Sequence, residues 1–223
     1  MNFVMDDDFD CLIDELGMPD YSTPASQETV ERYRGRLPDR LLEYWQAFGF
    51  CRFDRGLYWI VNPDKFVSIK NEWLPADMPN KDQCHVIARN AFGILYVWSK
   101  TQGHRYTIEP IDGRVFLDNG DEKRISQGKE TQAIQDHFSI LTRSYLDRED
   151  VITDASIFDF AAEQYGPLTE DEMFTFEPAL FLGGEQTCQN VRKVNMPIQL
   201  DILSNLAPKE VLDINGLAKR AFS

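Results

Sequence analysis

Apolar residues recur at spacings of three and four at Phe9, Leu12, Ile13 and Leu16, between a run of acids and Gly17. That pattern predicts a short amphipathic helix capped within Asp6 to Asp8 and stopped by the glycine. A second short helix is expected from Ser26 to Tyr33. The stretch LPDRLLEYWQAFG then sets Leu41, Leu42, Trp45 and Phe48 on one face, with Pro38 in the first turn and Gly49 past the end. From Gly56 the period falls to two. The runs GLYWIV, CHVIA, GILYVWS, RYTIEP and RVFLD read as strands, and Asp112-Gly113 is a strong hairpin signal. No helix of crossover length separates the later strands, so antiparallel pairing is expected.

The helical period returns in ETQAIQDHFSILTRSYL and in residues 154–165, where Gly166-Pro167 ends it. Thr169 followed by Glu172 has the spacing of a capping box and predicts a further helix start. FTFEPALFLGG holds Pro178 and reads as an extended edge segment, and MPIQLDILSNLA reads as a last helix capped by Asn195. The order of elements predicts an α+β protein in which N-terminal helices pack on a mainly antiparallel sheet. A smaller, helix-rich α+β domain follows. The polar stretch DNGDEKRISQG places the boundary near 125, giving domains at 1–125 and 126–223.

The chain has 223 residues, 43% hydrophobic and 27% charged, enough for a sizeable core. Its net charge of −14 is unevenly spread. Residues 1–30 hold eight acids and no Lys or Arg, and residues 147–187 hold eleven acids against Arg148. The remainder is slightly basic. Such a field opposes direct binding of nucleic-acid phosphates and steers the chain toward a basic protein, although acidity can also serve solubility alone. The opening MNFVMDDDFD lacks the basic and apolar regions of a secretory signal, and no apolar run approaches the roughly 18 residues of a membrane span. Cys11, Cys51, Cys84 and Cys188 are widely separated. These features lead us to expect a cytoplasmic protein in a reducing compartment, with no membrane contact.

No nucleophile elbow, phosphate loop, dinucleotide fingerprint or HExxH pattern occurs, so the sequence offers no catalytic residues, metal ligands or cofactor site. Cys84 and His85 are adjacent in a strand and face opposite ways, which rules them out as a nucleophile and base. Adjacent Glu170, Asp171 and Glu172 on a helix would diverge by some 100° and could not share an ion. DNGDE at 118–122 lacks the acid ladder of a calcium loop, Val115 and Leu117 standing in its place, and reads as a hairpin turn. Trp45, Phe48, Tyr58 and Trp59 read as core rather than contacts.

The block Tyr33-Arg34-Gly35, LPDRLLEYWQAFGF and Gly56 to Pro63 resembles the GAD-like domain of bacterial proteins. YGPLTEDEMFTFEPALFLGG, followed by VRKVNMPIQLDIL, resembles the C-terminal domain that follows it in immunity proteins directed against DNase effectors of the type VI secretion system. The resemblance implies a protein without enzymatic activity that binds and neutralises a cognate nuclease toxin. The acids Asp6, Asp7, Asp8, Glu170, Asp171, Glu177 and Glu185 are the expected partner-binding residues. The competing reading is a metal-dependent hydrolase or nucleotide-handling enzyme using acids of the C-terminal half.

Overall fold

Helix α1 (Asp7–Leu16) begins where the Asp6 carboxylate accepts the Phe9 N–H at 2.9 Å, and it ends at Gly17. The computed structural model describes residues 3–118 and 121–213, so Asn119 and Gly120 of the expected 118–122 turn lie outside the described residues. Strand β1 (Tyr21–Thr23) leads to α2 (Gln27–Tyr33), capped by Ser26, and to α3 (Asp39–Phe48). Pro38 occupies the N-cap of α3 and not its first turn, and its side chain makes no capping bond. β2 (Phe50–Phe53), β3 (Tyr58–Ile60) and α4 (Val67–Trp73) come next. Four longer or sequential strands then follow by short turns: β4 (Cys84–Asn90), β5 (Leu95–Ser99), β6 (Gly103–Glu109) and β7 (Arg114–Leu117).

The second half opens with α5 (Glu122–Ser126), α6 (Glu130–Ser139) and α7 (Arg143–Leu146). Sequence periodicity predicted one helix where α6 and α7 are two. The break follows from Thr142, which is extended and turns its hydroxyl to accept the Tyr145 N–H, starting a new helix. α8 (Ile157–Tyr165), capped by Ser156, starts three residues after the expected onset at 154, because Asp154 has a left-handed backbone (φ 58°). β8 (Glu172–Phe176), β9 (Val191–Asn195), α9 (Met196–Leu206) and β10 (Glu210–Asp213) complete the described chain. Asn195 caps α9 as expected, accepting the Ile198 N–H at 3.2 Å.

The strands form an eight-stranded sheet in the order β1-β2-β3-β4-β5-β6-β7-β10 and a two-stranded sheet of β8 and β9. Seven neighbours in the large sheet run antiparallel from β1 through β7, and β10 joins β7 in parallel with Val211 opposite Val115. The fold is therefore α+β with a mainly antiparallel sheet. Alternation along β3 divides its side chains between two faces. Tyr58 meets α6 through His137, whereas Trp59 lies opposite Arg52 and Arg89 on the neighbouring strands. On the α6 side, Phe9 stacks on Tyr44 at 4.3 Å and meets Phe138 at 5.3 Å, joining α1, α3 and α6 in one aromatic cluster. One cluster of buried residues runs from Phe9 to Leu203, and Trp45, Tyr58 and Trp59 belong to it.

The expected helix after Thr169 is absent. Half of the capping box forms, with the Glu172 carboxylate accepting the Thr169 N–H at 2.8 Å, but it closes a turn that leads into β8. Met173, Phe174 and Phe176 are all buried, and Phe174 pairs with Lys193 of β9. A helix would expose part of that run and break the pairing, so tertiary burial overrides the local signal.

Gly56 lets this turn approach the sheet. Its φ is 107°, and a Cβ there would stand 2.8 Å from the Leu168 Cβ and 3.2 Å from the Trp59 indole nitrogen. Gly56→Ala should destabilise the protein by about 1–3 kcal/mol through backbone strain and overpacking. Chemical denaturation tests this, and a midpoint equal to wild type would refute the close packing of residue 168 on the sheet.

Candidate functional site

The seven acids expected to meet a partner occupy three places. Asp6, Asp7 and Asp8 stand at the start of α1, Glu170 and Asp171 in the turn before β8, and Glu177 and Glu185 on the 177–190 connection between β8 and β9. These groups differ sharply in what already holds them. Asp6 is engaged by the fold: besides capping α1 it accepts from Arg40 and from the Tyr44 hydroxyl at 2.6 Å. Burial opposes its ionisation, but the Tyr44, Phe9 and Arg40 donors outweigh that and hold its carboxyl below the ordinary value. Asp7 is exposed, and Asp8 is half-buried. Burial, with Asp6 and Asp136 nearby, pushes the Asp8 carboxyl up.

Glu170 bonds Lys65 at 2.8 Å, and both line a cavity of about 270 Å³. Phe50, Trp59, Phe66, Ile69 and Met196 give this cavity an apolar wall, and Arg89 lies at its lining. Arg89 is fully buried, and among the described residues no carboxylate reaches it as a salt bridge. Its guanidinium donates to the carbonyls of Asn90 (3.3 Å), Thr169 (3.2 Å) and Glu170 (3.1 Å) and lies 4.6 Å from the Trp59 ring centre. Burial pushes Arg89 down to about 9, and the charges of Asp171 and Glu170 act against that fall. The two acids of this turn therefore serve the interior as well as the surface.

Glu177 is exposed and lies 3.6 Å from Arg192, while Glu185 is exposed with no side-chain ion pair among the described residues. The base of their loop is fixed by Asp150. Its carboxylate accepts the N–H groups of Cys188 (2.7 Å), Ile152 (2.8 Å) and Thr153 (3.1 Å), with Cys188 first in effect, which pulls its pKa down to about 2.

Acids of the C-terminal half that could be mistaken for catalytic groups are also structural. Arg143 binds both oxygens of Asp159 at 2.6 and 2.8 Å and one oxygen of Asp54 at 2.9 Å, and Arg55 adds a bond to Asp159 at 2.7 Å. The network ties α7 and α8 to the β2–β3 turn. The Arg55 carbonyl also accepts the Leu168 N–H, and Arg52 donates to the Leu168 carbonyl. Asp147 accepts from Ser156 and from the N–H groups of Arg148 and Phe158. No group of three or more His, Cys, Asp or Glu side chains among the described residues could hold a metal ion. Residues 170–172 form a turn and a strand start, so helical divergence is not what separates their side chains.

Two contacts escaped the sequence. Arg89 gave no signal because a strand position next to a turn 80 residues later is a matter of topology. His104 and His137 sit with ring centres 4.7 Å apart, and burial pushes both imidazoles down. Period-two and helical spacing placed each on its element without bringing the elements together.

The Arg143 network has a pH signature. Arg143, opposed only in part by burial, holds the Asp159 carboxyl well below the ordinary carboxylate range. A depressed folded-state value contributes stability above the unfolded value near 3.8, and that contribution is lost as pH falls below it. Asp159→Asn should therefore cost on the order of 1 kcal/mol at pH 7, limited by the partial solvent contact of the pair. The difference from wild type should shrink at pH 3. Denaturation at both pH values measures this, and an equal difference at each would remove the ionic account.

Comparison with known proteins agrees with this architecture. Residues 7–111 match the GAD-like domain, and residues 131–207 match the C-terminal domain of the T6SS immunity protein Tdi1. The crystal structure of Atu4351 from Agrobacterium tumefaciens is similar in fold, with a TM-score of 0.81 over 92% of each chain at 21% sequence identity. No curated protein matches the chain.

Proposed function

Because the chain belongs to the family that joins a GAD-like domain to the C-terminal domain of type VI secretion immunity proteins, we propose that it binds and neutralises a cognate DNase effector. It would act in the cytoplasm of the bacterium that makes both, with the two domains meeting near residue 125. The observation that carries this reading is the match of residues 131–207 to the immunity domain. Charge supports the DNase assignment. A nuclease presents a basic surface to phosphate, and a chain of net charge −14 with exposed Asp7, Asp171, Glu177 and Glu185 is complementary to it. The same charge argues against binding nucleic acid directly. Among the described residues no helix is long and apolar enough to cross a membrane. The hydrolase reading gains nothing from Asp54, Asp147, Asp150 or Asp159, whose carboxylates are taken up by arginine, hydroxyl and backbone donors.

The acids divide by function within this reading. Asp6 belongs to the fold, and Glu170 and Asp171 balance Arg89 as well as facing solvent. Asp7, Glu177 and Glu185 are the acids most free to meet a partner.

Reversing Asp7, Glu177 and Glu185 to Lys should leave the denaturation midpoint close to wild type and weaken effector binding roughly tenfold or more, since facing like charges cost several kcal/mol. Association of the wild-type pair should also slow steeply with salt, because exposed charges are screened beyond about 8 Å at physiological ionic strength. Titration calorimetry and stopped-flow association with the purified effector, beside a nuclease assay, measure both. Undiminished DNA cleavage by the effector in the presence of excess wild-type protein would refute the proposal. Full affinity in the triple variant would move the interface away from these acids.

A further inference from the structure

Four of the basic side chains of this acidic protein line a single cleft. Arg32, Arg36, Lys70 and Lys81 border a cavity of about 700 Å³ between α2, α4 and the start of β4, where Asp64 and Asp82 are the acids. The cleft is thus net positive in a chain of net charge −14. Two of the cations are largely spoken for. Arg32 bonds Asp64 at 2.8 Å, and the Lys81 ammonium donates to the carbonyls of Asn71 and Leu74.

The other two are not. Lys70 is 4% exposed, yet its ammonium donates to one carbonyl, that of Lys81 at 2.7 Å, and has no carboxylate within salt-bridge range among the described residues. An ammonium has three N–H donors, so two of them lack an acceptor among the described residues. Arg36 is exposed, and its guanidinium has no hydrogen-bonded or ion-paired partner among the described residues. His85 lines the same cleft, its ring 5.2 Å from and edge-on to Tyr33, whose hydroxyl is bonded to Asp64. Burial first, then the charges of Lys70 and Arg36, push the imidazole down to about 4, with Asp64 and Asp82 acting in the opposite sense. A cleft bordered by two unpaired cations, one of them buried, is an arrangement that an anion would stabilise.

The character of that anion follows from the donors. An ammonium and a guanidinium offer separate N–H groups to the several oxygens of one compact, highly charged group, and a dianion matches both cations. Pro63, Phe66, Val67 and Met78 leave an apolar wall beside it. We propose that this cleft binds a small phosphate monoester, its phosphate held by Lys70 and Arg36 and its organic part against the apolar wall. The site is independent of effector binding and stands or falls on the isolated chain.

The probe is phenyl phosphate, with inorganic phosphate, benzenesulfonate and a short single-stranded oligodeoxynucleotide as comparisons, all at matched ionic strength. The His85 ring resonances report occupancy. Phenyl phosphate should move them saturably and inorganic phosphate more weakly, while the singly charged sulfonate and the diester oligonucleotide should have little effect. Arg36→Gln, at an exposed position, should keep the fold and weaken phenyl phosphate roughly tenfold or more, the loss of one charge-assisted contact. Lys70→Met should abolish binding, and its fold is checked by the thermal melt. A wild-type His85 response no larger than that to chloride overturns the proposal. So does an Arg36→Gln titration equal to wild type, or tighter binding of the oligonucleotide than of phenyl phosphate.

Discussion

A guanidinium with no carboxylate of its own, buried on β4, sets the terms on which the second half of this chain meets the first. Arg89 can stay in the interior because backbone carbonyls at 169 and 170 reach it and Trp59 covers it at 4.6 Å. Those carbonyls are available because the chain there is a turn, whose groups point away from any helix ladder. Gly56 allows Leu168 to approach, Arg52 and Arg55 fix its backbone, and Arg143 locks α8 beside them. Removing the buried charge from this arrangement would strand several polar groups at once, which is why the contacts act as a unit.

The turn also explains why acidity alone was a poor guide to the surface. Glu170 and Asp171 look superfluous in sequence because a capping box needs only Thr169 and Glu172. In the fold they help to keep Arg89 charged against the effect of burial. Asp6 is a similar case, since one carboxylate caps α1 and joins Arg40 and Tyr44 of α3 to it. What a partner can reach is the subset left over after the interior has been served.

Helices with a local cap and a clear apolar face were legible in the sequence. Asp6, Ser26 and Asn195 accept the backbone N–H that their position predicts. The strands from β3 to β7 were legible as short runs rich in β-branched and aromatic residues, and from β4 onward the turns between them are short. The short strands were not: β1 has three residues, all exposed, and β2 follows α3 after a single glycine, so neither has room for a period to show. The start of β8 was hidden behind a genuine capping spacing although Phe174 to Phe176 read as extended, and its pairing with β9 decides between helix and strand. The position of β10 beside β7 depends on ninety intervening residues and leaves no local trace. The candidate site was legible as an accumulation of charge, but which acids are free depends on arginines far away in sequence.

The two ends of the large sheet have a consequence for how this protein can be approached. At one edge lies β1, three residues long; at the other lies β10, four residues that are mostly exposed and laid parallel to β7. Among the described residues both outer strands offer only a short ladder of backbone groups to an incoming chain. Between them β4 and β5 are buried along nearly their whole length, so the extended backbone that could template a neighbour is inside. A protein that binds here must read side chains and loop shapes, and discrimination between partners then rests on substitutable surface residues. Such a surface can change its specificity while the sheet beneath it stays the same.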